Sequence, residues 1–353
     1  MKKIIFGIAV ILVILILIFL LKPAPIDAIA YIPPDAPELT GVLYPNNLLQ
    51  EAELLAQGKI HGPEEIAVDS RGHVYGGIED GKIIRVLPDG SLETFAETGG
   101  RPLGMKFDEN ENLIVCVAYK GLLSIDPQGE IKILATSADG VPINFADALD
   151  ISSDGMVYFT DASSKYGPDV DKFDLLESKP HGRFMSYDPA TGEVTVLLRD
   201  LYFANGVALS PNEDFVLINE TYRYRITRYW LNGPDAGTHE IFIDNLPGFP
   251  DNISVNQKGN FWLALFTIRN ESADKLHPFP SRKNLLSKLP RALWPKPNPY
   301  GLVLELDVQG NIIQSLHDPT GSHLKEITSA QEYGDYLYLG SVDNDRIGKY
   351  KLP

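Results

Sequence analysis

The sequence predicts an all-β fold, a six-bladed β-propeller, and three observations carry that prediction. A strand, a polar turn and a second strand return about six times, at a spacing of roughly 40 to 50 residues. No long amphipathic helix interrupts them until about Leu285. The 353 residues include 30 glycines and 26 prolines, as many short strands joined by tight turns require.

The repeats can be read in order. Ile66-Ala67-Val68 leads through Asp69 to Gly72 into His73-Val74-Tyr75, and Met105-Lys106-Phe107 leads through Asp108 into Leu113-Ile114-Val115. Leu149-Asp150-Ile151 precedes Val157-Tyr158-Phe159, and Val207-Ala208-Leu209 precedes Phe215-Val216-Leu217. Ile253-Ser254-Val255 precedes Phe261-Trp262-Leu263, and Ile327-Thr328-Ser329 precedes Tyr336-Leu337-Tyr338. Further strands complete each unit, for example Lys82 to Val86 with Leu92 to Phe95. The last unit ends short at Lys351, and the segment from Glu51 to Leu55 is expected to supply its outer strand and close the ring.

The N-terminus is different. Lys2 and Lys3 precede an uninterrupted apolar run, residues 4–21, just long enough to span a bilayer core at about 1.5 Å per residue. Ala28-Ile29-Ala30 resembles a cleavage site but lies beyond the run, so an uncleaved anchor over residues 1–22 is expected. Lysines before the run and Asp27, Asp35 and Glu38 after it put the N-terminus in the cytoplasm. The propeller, residues 47–353, is then extracytoplasmic: periplasmic, extracellular or lumenal. Prolines make residues 23–46 a stiff, extended spacer.

A net charge of −16 argues against nucleic-acid binding and suits a body that attracts cations. The single cysteine, Cys116, sits in an apolar strand and reads as a buried, inert thiol. Residues 270–300, inside the fifth unit, break the pattern. They carry Lys275, Arg282, Lys283, Lys288, Arg291 and Lys296, with Leu285, Leu286, Leu289 and Leu293 at helical spacing. They are a packed surface insertion, a lid over the site, or a basic apolar patch that touches the membrane.

In a propeller the innermost strands line the axis, and the residues that open them converge. Those residues are Glu64-Glu65, Leu103-Gly104, Ala146-Asp147, Asn205-Gly206, Asp251-Asn252 and Glu326-Ile327. Carboxylates and amides recur among them without nearby histidine, which suits Ca²⁺ and its six to eight oxygen ligands. Singly, each also reads as an ordinary turn residue or cap. The seven histidines share no phase and read as surface or loop residues. There is no Gly-x-Ser-x-Gly nucleophile elbow and no phosphate-cradling glycine loop.

Several stretches are similar to one superfamily. They are Gly62-Pro63-Glu64, Gly100 to Gly104, Ala118 to Leu122, Val157 to Ser164, Asn205-Gly206-Val207, Leu209-Ser210-Pro211, Pro247 to Ile253, Ser315 to Pro319 and Tyr336 to Ser341. The chain resembles the strictosidine synthase-like, gluconolactonase/regucalcin and paraoxonase propellers, and most of all the adipocyte plasma membrane-associated protein branch, from about Leu49 onward. That resemblance implies one axial Ca²⁺ held by Glu64, Asn205, Asp251 and Asn252, with Asp147 beside it. Relatives carry Asn-Asp where this chain reads Ala146-Asp147, so one amide is missing, with Asn144 or water as its replacement. The histidine that paraoxonases use falls at Leu103, so a histidine dyad does not transfer. The glutamate of true strictosidine synthases has no match at Thr328, with Glu326 only nearby, so alkaloid condensation is not expected.

The function expected is that of a membrane-anchored, Ca²⁺-dependent arylesterase or lactonase acting on a small ester or lactone, with Asp251 as the catalytic carboxylate. A non-catalytic binding or scaffold propeller is the other reading, and Ala146 favours it. Neither involves nucleic acid, and the oligomeric state is not legible.

Overall fold

The computed structural model describes residues 3–7, 18–19 and 21–353. Among these, no helix is long and apolar enough to cross a membrane. The expected anchor, residues 4–21, falls mostly outside the described residues.

The rest is a six-bladed propeller, each blade a four-stranded antiparallel sheet. From the axis outward, blade I is Ile66–Val68, Val74–Gly77, Lys82–Val86 and Leu92–Glu97, and blade II is Pro102–Phe107, Leu113–Val117, Gly121–Ile125 and Ile131–Ala135. Blade III is Ala146–Ile151, Val157–Asp161, Gly182–Tyr187 and Val194–Leu201. Blade IV is Ala204–Leu209, Phe215–Glu220, Arg225–Trp230 and His239–Ile243. Blade V is Gly248–Val255, Phe261–Ile268, Gly301–Leu306 and Ile312–Asp318. Blade VI takes Ile327–Tyr333, Tyr336–Ser341 and Ile347–Lys351 from the C-terminus and its outer strand, Glu53–Leu55, from the N-terminal side. Closure of the ring is thus as expected, with Glu53 opposite Lys349; Glu51 belongs to the preceding 3-10 turn, Leu48–Glu51.

The core lies between blades rather than at a single centre. Leu113, Val115 and Val117 pack toward Tyr75 and Ile83 of blade I. Ile114 and Cys116, on the other face of the same strand, pack toward Ala146, Phe159 and Met185 of blade III. A strand covered on both faces reads as a continuous apolar run, which is why the second strand of each repeat stands out in sequence. The polar turns are held by side chains: Asp69 Oδ1 accepts from the N–H groups of Arg71 and His73, and Asp108 Oδ1 from those of Asn110 and Asn112.

Two departures matter for function. The insertion folds as helices α2 (Glu271–Leu276) and α3 (Pro280–Ser287) and a 3-10 turn, Arg291–Leu293, so Leu289 and Leu293 fall outside the helix that their spacing suggested. A helix not foreseen, α1 (Asp171–Glu177), lies between the second and third strands of blade III. Residues 26–35 form no helix or strand and are fastened to these elements. Ile29 N–H donates to the Glu177 carbonyl and Tyr31 N–H to the His277 carbonyl. Lys283 Nζ reaches both the Ile29 carbonyl (2.6 Å) and Ser178 Oγ (2.8 Å), and Arg269 reaches the Pro34 carbonyl.

Asp318 ties blade V to the closing segment. Its carboxylate accepts from the N–H groups of Thr320, Gly321, His323 and Leu324 and from Gln50 Nε2. Burial opposes the charge, but these donors outweigh it and hold the carboxyl at about 2, below the usual 3.8. A depressed carboxylate stabilises the fold above its unfolded value and loses that contribution as pH falls through the folded value. Asp318→Asn is therefore expected to melt several degrees below the parent at pH 7, with the gap closing between pH 4 and 2 when both are followed by calorimetry.

Candidate active site

The innermost strands share a defect that the repeat pattern does not reveal. In blade II, Leu103 and Gly104 together oppose Cys116 between the pairs Pro102–Val117 and Met105–Val115. In the same way Asp147 and Ala148 oppose Thr160, Asn205 and Gly206 oppose Asn219, and Asp251 and Asn252 oppose Ala264. These are β-bulges at one phase of the repeat, and bulges re-aim side chains. In blade VI the break falls between Ile327 and Ser329, at Thr328. Two readings are corrected by this register. Ala146 precedes the bulge and pairs with Asp161, just as Ala204 pairs with Glu220, so it leaves no gap at the axis; Asp147 occupies the position of Asn205 and Asp251. The sixth axial residue is Thr328, not Glu326.

The bulges at Asn205 and Asp251, and the Glu64 backbone, are braced by the neighbouring blade. Thr160 Oγ1 donates to the Asn205 carbonyl (2.8 Å), Asn219 Nδ2 to the Asp251 carbonyl, and Thr328 Oγ1 to the Glu64 carbonyl (2.7 Å). The packing is close enough that a Cβ on Gly206 would collide with the Asp251 carbonyl.

Glu64, Asp147, Asn205 and Asp251 line one cavity of about 400 Å³, within the range of ligand sites. Asn252 adjoins them through Nδ2, which donates to Glu64 Oε1 (3.0 Å). All five are at most 7% exposed. Asn205 likewise donates to the Asp251 carboxylate. With the amide N–H groups spent on carboxylates, Glu64 Oε2, Asp147 Oδ2, Asn205 Oδ1 and Asn252 Oδ1 are buried with no protein partner. Buried oxygens are rarely left so, and each costs on the order of 1–3 kcal/mol.

The electrostatics agree. Burial, only partly opposed by Arg101 and the Asn252 hydrogen bond, lifts Glu64 from 4.5 to about 7. Asp147 and Asp251 are raised well above the ordinary range by burial first, then by repulsion from Glu64 and, for Asp251, from Asp147. Glu65 is raised by burial and by Glu64. Hard oxygens without donors, crowded with like charge, fit a divalent cation of the Ca²⁺ type. Among the described residues no three His, Cys, Asp or Glu side chains group tightly enough to hold a metal alone. The donor set therefore depends on its amides.

The walls are apolar: Leu103, Phe145, Phe203 and Phe249 from the blades, Leu176 from α1, Leu276, Leu286 and Trp294 from the insertion. The insertion and α1 thus both cover the site. Asn144 does not reach the cavity lining; its carbonyl accepts from the Tyr119 N–H. Glu326 does line it, half-buried. Cys116 is buried, and burial pushes its thiol up, as an inert cysteine requires.

Sequence reasoning missed three residues here. Asn219 is a strand residue without a phase partner, and only the bulge shows that it braces Asp251. Arg101 lines the cavity as the cation nearest in effect to Glu64. His277 is neither a surface nor a loop histidine: it is 2% exposed, lines the cavity and keeps an unpartnered Nε2. Burial and the nearby Lys283, Arg223 and Arg269 hold it neutral, at about 3. His317 is buried as well, between Tyr300 and Ser315.

Comparison with known proteins places the chain in a family. A strictosidine synthase family model matches residues 147–234, and the strictosidine synthase-like N-terminal model matches residues 41–86. The adipocyte plasma membrane-associated protein of Rattus norvegicus is 37% identical, with 94% of each chain covered. The chain belongs to the strictosidine synthase-like family. The strictosidine synthase-like 6 protein of Arabidopsis thaliana, 39% identical over 93% of this chain and 86% of its own, is another relative in that family. Among solved structures, a gluconolactonase from Xanthomonas campestris shares the propeller at a TM-score of 0.63 and 17% identity, covering 94% of this chain and 99% of its own. A calcium-binding regucalcin from Agrobacterium tumefaciens does so at 0.61 and 16%, covering 85% and 93%.

A carboxylate whose folded value lies above its unfolded one destabilises the fold as pH climbs from about 4.5 through about 7, as it does for Glu64. Metal-free Glu64→Gln is therefore expected to melt higher than metal-free parent at pH 8, by about 2 °C per kcal/mol relieved, and level with it at pH 4.5. An equal or lower melting temperature at pH 8 would refute the crowding.

Proposed function

We propose that this chain is a membrane-anchored, Ca²⁺-dependent hydrolase of the arylesterase or lactonase type. One observation carries the reading: four buried oxygens without partners, on Glu64, Asp147, Asn205 and Asn252, beside the carboxylate of Asp251. These five residues would hold the ion. A bound Ca²⁺ supplies a Lewis acid for an ester carbonyl and its developing oxyanion. The remaining work falls to the protein. Asp251, oriented by Asn205 and with its carbonyl held by Asn219, takes a proton from the attacking water or itself attacks the acyl carbon. The aromatic walls exclude bulk water and orient an apolar acyl or aryl group.

Anchoring through residues 4–21, with the propeller outside the cytoplasm, is supported by the apolar run itself and by relatives named for association with the plasma membrane. The gluconolactonase and regucalcin likenesses agree with a lactone substrate and with calcium. A non-catalytic binding or scaffold propeller is the other reading, and membership of the strictosidine synthase-like family is consistent with it too.

Two measurements test the reading. Millimolar Ca²⁺ is expected to raise the melting temperature and EDTA to reverse it; at a hundredfold excess over Kd the gain is about 2.7 kcal/mol. Asp251→Asn is expected to lose about 10²–10⁴-fold in turnover of phenyl acetate or δ-valerolactone with the fold intact. Full turnover by that variant sinks the role of Asp251. A calcium shift without any hydrolysis leaves the binding propeller.

A further inference from the structure

The insertion has two kinds of apolar residue. Leu276, Leu286 and Trp294 line the cavity. Phe279, Leu285 and Leu293 do not, and they are 44%, 42% and 65% exposed. Among them stand the exposed cations Arg282, Arg291 and Lys296, in a chain whose net charge is −16. Arg282 lies over the Phe279 ring at 4.2 Å, so charge and apolar surface are interleaved. The docked N-terminal segment adds Ile29 and Ile32, 39% and 79% exposed. A basic, aromatic and aliphatic surface of this kind suits the headgroup–acyl boundary of a bilayer.

Chain length ties this surface to a membrane. The apolar run ends at Leu21, and Ile26 is already packed with Leu176 and Trp294, two residues that line the cavity. Five Cα steps separate Leu21 from Ile26, a reach of about 17 Å at most. Roughly 6 Å of that is used in crossing the headgroup layer. The remaining ~11 Å is about one Debye length at 0.1 M salt, so the basic residues stay at the edge of the field of the lipid surface. Phe19, from the run itself, lies 6.0 Å from Lys288 Nζ at the end of α3. The hydrogen bonds from Ile29, Tyr31 and Lys283 leave this segment no slack to turn the propeller over.

We propose that the outer surface of the insertion lies on the bilayer that holds residues 4–21, so that the cavity receives a hydrophobic ester or lactone dissolved in the membrane. The inference rests on the anchored-hydrolase reading and adds to it an orientation and a source of substrate. The propeller is not a head swinging on a stalk; one edge of its site is seated on lipid.

The test uses the full chain in vesicles of phosphatidylcholine and phosphatidylglycerol at 7:3. An environment-sensitive fluorophore is attached to Leu293→Cys and, separately, to Asn110→Cys in a turn at the far end of the blade II inner strand. The label at 293 is expected to shift to the blue and be quenched by spin-labelled lipid, and the label at 110 to stay aqueous. The double variant Phe279→Glu, Leu293→Glu is expected to hydrolyse phenyl acetate in solution as the parent does. It should lose at least fivefold against δ-dodecalactone dissolved in the vesicles. An aqueous label at 293 on chain that floats with the vesicles overturns the proposal, and so does a variant equal to the parent on both substrates. Chain that fails to float overturns it by removing the anchor. A lipid-buried label with no hydrolysis of either substrate upholds the docking and fails the hydrolase reading alone.

Discussion

The structure depends on a repulsion. Three carboxylates, Glu64, Asp147 and Asp251, are buried together at the propeller axis, with Glu65 close enough to raise Asp147 and Asp251 further. Burying several like charges is among the most costly things a fold can do. Much of the local architecture bears on that cost. Bulges in two inner strands present Asp147 and Asp251, and the amides of Asn205 and Asn252 turn their N–H groups toward carboxylates. Side chains of Thr160, Asn219 and Thr328 hold the backbone from adjacent blades. The strain that remains is of the kind a divalent cation would relieve.

The fold was legible because its signals are local. A strand covered on both faces must be apolar throughout, and a turn between strands needs Asp, Asn or Gly, so Leu113 to Val117 after Asp108 could be read directly. Closure by the strand near Leu55 followed from counting strands in the last unit. The site was half legible. Glu64, Asn205, Asp251 and Asn252 share a phase that the repeat exposes. Asp147 was placed with them, yet its register was misjudged by one residue, because a bulge shifts pairing without changing the spacing of apolar residues. The opening of the last inner strand was read at Glu326 rather than Thr328 for the same reason.

What the sequence concealed comes from long-range packing. His277 stands in a helix-and-turn insertion whose composition reads as surface, and Lys283 was counted among basic surface residues although its side chain is wholly buried. Both are buried because residues 26–35 return from the chain's start to cover them. Burial first, and then repulsion from Arg223, holds the Lys283 ammonium down at about 8. No periodicity within the insertion could announce a contact made some 250 residues away.

The pairing of Glu53–Leu55 with Ile347–Lys351 also constrains how the protein is made. Blade VI cannot be completed until Ile347–Lys351 has left the ribosome. Until then the edges of blades I and VI stay open, and the strands that will flank the axis carry their carboxylates without the opposing wall. The ring therefore forms in one late, long-range event rather than blade by blade, and contacts of such sequence separation are slow to find. A truncation of only the final strand would leave a nearly complete chain with two exposed sheet edges, a species prone to pair with its neighbours rather than with itself.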